Sequence, residues 1–129
     1  MVEFTQAIEI DPLLALAYYK RGNSYKELGD YLKAIDDFTQ AIEIDPKLAL
    51  AYYKRGGSYV MLGDYLKAIE DFTQAIEIDP KLALAYYKRG GSYVMLGDYS
   101  RAIQDARKAC ELGSCGLLQA LEKDGQTRG

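Results

Sequence analysis

ALAYYKRGNSYKELGDYLKAIDDFTQAIEIDPKL fills Ala15–Leu48, and ALAYYKRGGSYVMLGDYLKAIEDFTQAIEIDPKL fills Ala49–Leu82. Only Asn23/Gly57, Lys26/Val60, Glu27/Met61 and Asp36/Glu70 differ between them. A third copy, Ala83–Gly116, follows the same text through Tyr99 and then drifts. A period of 34 residues implies stacked supersecondary units, none able to bury its apolar face without a neighbour.

Within each copy the apolar residues recur at helical spacing. In Ala49–Leu62 they are Leu50, Tyr52, Tyr53, Tyr59, Val60 and Met61. Gly63–Asp64 interrupts the pattern, with Asp64 suited to cap the next helix. Tyr65, Ala68, Ile69, Phe72, Ala75, Ile76 and Ile78 then trace a second apolar face. Asp79–Pro80 closes the unit, because proline lacks an N–H and disfavours helix at the residue before it. Each copy therefore reads as two antiparallel helices, with Gly56 and Ala68 where they cross.

The copies resemble the tetratricopeptide repeat, W-x2-L-G-x2-Y followed by A-x3-F and a closing A and P. The matching slots hold Tyr18, Arg21, Gly22, Tyr25, Ala34, Phe38, Ala41 and Pro46 in the first copy. In the second they hold Tyr52, Arg55, Gly56, Tyr59, Ala68, Phe72, Ala75 and Pro80. The third has Tyr86, Arg89, Gly90, Tyr93, Ala102 and Ala109, with Ala106 for Phe and Ser114 for Pro. Tyr replaces the family's Trp, and Arg its Leu, throughout. The resemblance implies an all-α, right-handed α-solenoid of antiparallel helix pairs. Residues 15–48, 49–82 and 83–116 are then full repeats, and 1–14 is the second helix of a truncated one.

The two ends differ from the middle. Met1–Leu14 places Phe4 and Pro12 in the slots of Phe38 and Pro46, without a partner first helix. The apolar side around Phe4 and Ile8 is therefore expected to be a self-association edge, pointing to a homo-oligomer or to a fragment of a longer array. From Ser100 onward the third copy changes towards a cap over 114–124. Ser114 is placed to start a helix Cys115–Lys123 carrying Leu117, Leu118 and Leu121, with Ala106 and Cys110 making room. Gly125 ends that helix and 125–129 reads as a flexible tail.

Bulk properties narrow the function. A net charge of −3 argues against nucleic-acid and anionic-membrane partners. No apolar run reaches the roughly 20 residues of a membrane span, and MVEFTQAIEI lacks the regions of a secretory signal. There is no His, neither cysteine has a His partner, and no phosphate loop follows a strand, so the chain does not read as an enzyme. No metal site or cofactor is expected. Cys110 and Cys115 read as small buried apolar groups, in preference to a disulfide or a metal pair, and suit a reducing cytoplasm.

By resemblance, first helices line a groove that grips a peptide. The positions facing it form the columns Leu16/Leu50/Leu84, Tyr19/Tyr53/Tyr87, Lys20/Lys54/Lys88, Asn23/Gly57/Gly91, Lys26/Val60/Val94 and Glu27/Met61/Met95. Charge is sorted to match. The first helix of the second copy carries Lys54 and Arg55, whereas Gly63–Pro80 carries Lys67 against Asp64, Glu70, Asp71, Glu77 and Asp79. Glycines at 57 and 91 widen the floor and methionines at 61 and 95 add adaptable surface. The expected partner is a protein or peptide segment mixing apolar and acidic residues.

Some relatives hold a chaperone's terminal carboxylate with a clamp of Lys, Asn, Asn, Lys and Arg. Here those slots hold Tyr19, Asn23, Lys54, Leu84 and Lys88, so that clamp is not expected. Arg21, Arg55 and Arg89 are expected to pair with Asp37, Asp71 or Asp105 on second helices.

Overall fold

Two turns, each used repeatedly, dictate the architecture. In the LGDY turn, Gly29, Gly63 and Gly97 adopt φ of +79°, +77° and +79°, a left-handed conformation open to glycine without steric cost. The next residue caps the following helix: the carboxylates of Asp30, Asp64 and Asp98 accept from the backbone N–H of Lys33, Lys67 and Arg101 at 3.3, 3.2 and 3.2 Å. After the second helices of the first two copies, Asp45 and Asp79 accept from the N–H of Lys47 and Lys81 at 3.1 and 3.2 Å. The exposed prolines between them stop the helix.

The computed structural model describes residues 1–11 and 13–125. Its helices are α1 (Val2–Ile10), α2 (Ala15–Glu27), α3 (Tyr31–Ile44), α4 (Ala49–Met61), α5 (Tyr65–Ile78), α6 (Ala83–Met95), α7 (Tyr99–Glu111) and α8 (Gly116–Lys123). No strand occurs among the described residues, and no helix there is long and apolar enough to cross a membrane. Helices α2–α3, α4–α5 and α6–α7 pair within units, while α3–α4 and α5–α6 join units. The fold is an all-α solenoid.

Small residues let each pair close. Ala34, Phe38 and Ala41, with Ala68, Phe72 and Ala75, are fully buried. Each phenyl ring occupies the place of a missing side chain: a Cβ on Gly22 would lie 2.7 Å from Phe38, and one on Gly56 2.8 Å from Phe72. Gly56→Val is therefore expected to destabilise by about 1–3 kcal/mol through overpacking, read as a lower urea midpoint. Between units, Ala41, Ile42 and Ala51 pack with Tyr18, Tyr19, Leu48 and Tyr52, and the next interface repeats the set.

A polar brace also crosses the stack. Arg21, Arg55 and Arg89 each grip Asp37, Asp71 or Asp105 with two donors: Nε at 2.7, 2.9 and 2.8 Å, and Nη2 at 2.7 Å in every case. The paired helices thus carry the expected ion pairs. Not foreseen is the third donor, Nη1, which reaches Thr5, Thr39 or Thr73 on the preceding second helix at 3.4, 3.1 and 3.2 Å. Tyr18, Tyr52 and Tyr86 lie within 5.7 Å of the same guanidiniums. One side chain therefore ties three helices together.

At the C-terminal end Leu117 does the work of a phenylalanine. A Cβ on Gly90 would lie 2.7 Å from Leu117 Cδ2, the space that Phe38 and Phe72 fill in the earlier units. Ala106 leaves that room, and Ala102, Ala106 and Leu121 form the local core with Leu117 and Leu118 against it.

Three expectations need correcting. Cys110 and Cys115 are half-buried and disulfide-bonded, because the turn at Gly113 (φ +106°) swings the start of α8 over the last turn of α7. That removes the argument for a reducing cytoplasm. The residue before α8 is Cys115, so Ser114 is not its cap; Ser114 N–H instead donates to Ala109 at 2.8 Å. At the other end Ile8 is only 9% exposed against α2 and Phe4 is half-buried, whereas Val2 and Ile10 are 70% and 86% exposed. Packing of α1 on the following first helix consumes Ile8. The tail expectation for Gln126–Gly129 lies outside the described residues.

Candidate functional site

Helix α4 touches both α2 and α6, so the first helices lie side by side. Three depressions run along them. The first, of about 290 Å³, is lined by Asn23, Lys26, Glu27, Tyr31, Lys54 and Met61. A smaller one of about 100 Å³ lies among Lys26, Tyr53, Gly57, Val60, Met61 and Lys88. The third, of about 260 Å³, is bounded by Val60, Tyr65, Tyr87, Lys88, Gly91, Ser92 and Met95.

The residues of the expected groove columns divide accordingly. Asn23, Tyr53, Lys54, Gly57, Tyr87, Lys88 and Gly91 line these depressions. Leu16, Leu50 and Leu84 are exposed but line none of the three, and neither do Tyr19 and Lys20. The tyrosine column is half-buried. Tyr19 and Tyr53 lean on Phe38 and Phe72, ring centroids 5.9 Å apart and tilted by 50° and 49°. Packing therefore fixes these two rings at the edge of the core.

Lys26, the first residue of the Lys26/Val60/Val94 column, occupies the middle of the face and lines two of the depressions. Its ammonium crosses from the first copy into the second: a Cβ on Gly57 would lie 2.7 Å from Lys26 Nζ. Burial, then Lys54 and Lys88, hold Lys26 below the ordinary lysine range. Among the described residues Lys26, Lys54 and Lys88 form no ion pair, although acids pair with Lys33, Lys67 and Lys108 elsewhere. Asn23 Oδ1 is likewise buried without a hydrogen-bond partner. Burial also pushes the Tyr53 phenol up, keeping it neutral.

A signal for these residues exists in the sequence. Three of the four differences between the first two copies, Asn23/Gly57, Lys26/Val60 and Glu27/Met61, fall on this face. Otherwise identical copies vary where the depressions form.

Stacked helix pairs with one continuous first-helix face define a helical-repeat scaffold. Sequence profiles described as tetratricopeptide repeat match residues 15–48, 38–70 and 83–112, and one described as TPR repeat matches 56–97. The chain belongs to the tetratricopeptide repeat family. No curated protein sequence matches it. Among solved structures it is similar to the second TPR domain of human RPAP3 in complex with the HSP70 peptide SGPTIEEVD. That likeness has TM-score 0.79 and 32% identity, covering 84% of this chain and 92% of that one. It is also similar to the first TPR of Spaghetti (RPAP3) bound to the HSP90 peptide SRMEEVD, with TM-score 0.82, 27% identity and coverage of 87% and 90%. MamA aligns with TM-score 0.85 and 27% identity, covering 95% of this chain and 75% of that one.

Proposed function

We propose that this chain is a protein-interaction module whose first-helix face binds a peptide segment combining acidic and apolar side chains. The observation that carries the reading is a set of lysines without acidic partners, set beside Tyr, Val and Met in the same depressions. An acidic ligand group would meet attraction here that the fold itself leaves unused. The peptides bound by the RPAP3 domains, SGPTIEEVD and SRMEEVD, carry acidic and apolar residues together. The contacts must differ from a terminal-carboxylate clamp, since only Asn23 matches it outright and Lys88 stands in for its Arg.

Reversing two charges tests this. Lys54→Glu combined with Lys88→Glu is expected to weaken acidic-peptide binding at low salt by about 10- to 100-fold, from the loss of attraction and the new repulsion. Fluorescence anisotropy reads the affinity, and an unchanged value at low salt would sink the proposal. Edge-to-edge assembly through α1 is the weaker reading, because Ile8 is already spent within the chain.

A further inference from the structure

The first-helix face changes chemistry along its length, and the cause is one side chain. At the junction of the first two copies, Lys26 projects over Gly57 and shares one depression with Lys54 and the adjoining one with Lys88. At the next junction the residue in the place of Lys26 is Val60, which is too short to reach. Gly91 accordingly has nothing within 4 Å of where its Cβ would be, and the depression above it is walled by Val60, Tyr65, Tyr87 and Met95. Lys88 stands between the two seats and lines both.

We propose that the lysine node of Lys26, Lys54 and Lys88 over Gly57 seats one oxyanion of a bound peptide, while the pocket over Gly91 takes an apolar side chain of the same peptide. The inference rests on the reading above and adds the location and spacing of the two anchors.

The lysine at 26 is not a requirement of the fold, because Val60 and Val94 hold its place in the other copies. Clustered ammonium groups repel one another, and Lys26 is half-buried as well. An anion with two or more acceptor oxygens, a carboxylate or a phosphoryl group, relieves both penalties at once. The apolar seat gains from the floor that Gly91 leaves empty. Adjacent helices pack roughly 8–10 Å apart, so anchors on successive units are separated by about three residues of extended peptide.

The experiment uses the full chain and short labelled peptides of Ser and Ala carrying one acidic and one Leu residue three apart, in either order. The acid is Glu in one arm and phosphoserine in the other, with Gln and Ser as neutral controls. Lys26→Val, which installs the residue of the other copies, is expected to weaken the acidic peptides about tenfold and the neutral controls hardly at all. Gly91→Leu, which fills the open floor, is expected to cost about tenfold for the Leu peptide and little for its Ala counterpart. Tighter binding in one acidic arm identifies the anion as carboxylate or phosphoryl.

The node is overturned if Lys26→Val leaves the preference for Glu over Gln unchanged while the Lys54→Glu, Lys88→Glu pair still weakens binding; that result keeps the broader reading. Failure of every peptide to bind the unaltered chain overturns the broader reading itself. Self-association that Lys26→Val dissolves would assign the node to a second copy and overturn the peptide assignment. Thermal melts of both variants confirm that each is folded.

Discussion

Phe72→Ala is expected to lower the folding free energy by about 3–5 kcal/mol, the range for truncating a fully buried ring. The ring is 0% exposed and nests on Gly56, which has no side chain to move into the gap. In the third unit the same slot is naturally alanine, but there Leu117 enters from α8. Nothing equivalent stands beside α5. The variant also removes the support under Tyr53, 5.9 Å away, so peptide affinity should fall in proportion to the loosening of that ring. Equilibrium urea denaturation reads the first effect and anisotropy the second. A loss below about 1 kcal/mol would mean that α4 and α5 collapse onto each other, and that the glycine-phenyl contact does not hold the pair apart.

Asp71→Ala is expected to cost about 3 kcal/mol, because it strands a guanidinium in a site that excludes most water. The Asp71 and Arg55 side chains are 5% and 19% exposed. Two short bonds vanish together, and the link from Arg55 to Thr39 loses its anchor. A guanidinium stays charged at any ordinary pH, so deprotonation offers no escape once its acid is gone. The double variant Arg55→Leu, Asp71→Leu should recover most of the loss, since a buried ion pair replaced by packed apolar groups is often neutral or better. Urea midpoints for the two single variants and the double one form the test. If the double variant is as unstable as the sum of the singles, the two side chains are not coupled and the brace is not a unit.

Most of the fold was legible because the repeat repeats its punctuation. Gly63 and Asp64 announce a turn and a cap by types that few other contexts require, and both perform those tasks. The pairing of Arg55 with Asp71 was also legible, since a cation in an apolar slot needs an acid on the facing helix. The third partner, Thr39, was not, because threonine at a helix surface carries no mark of what will approach it from the next unit.

The face proved harder to read for a related reason. Columns assume that each residue serves its own copy, whereas Lys26 is long enough to serve the neighbouring one. A four-carbon stem crosses a helix-to-helix spacing that position counting treats as fixed. The cysteines failed differently: composition placed them in a core, and only the sharp turn at Gly113 brings their sulfurs together. Phe4 and Ile8 were assigned to an open edge for want of a partner first helix in their own unit, yet half of that edge is covered by α2 of the next unit.

The leucine that substitutes for a phenyl group beside Gly90 also sets a rule for anyone lengthening this molecule. A further 34-residue module grafted after Gly113 would carry away the plug with α8, leaving a hole above Ala106. Lengthening by grafting therefore demands a compensating ring at position 106, installed before the new module is attached.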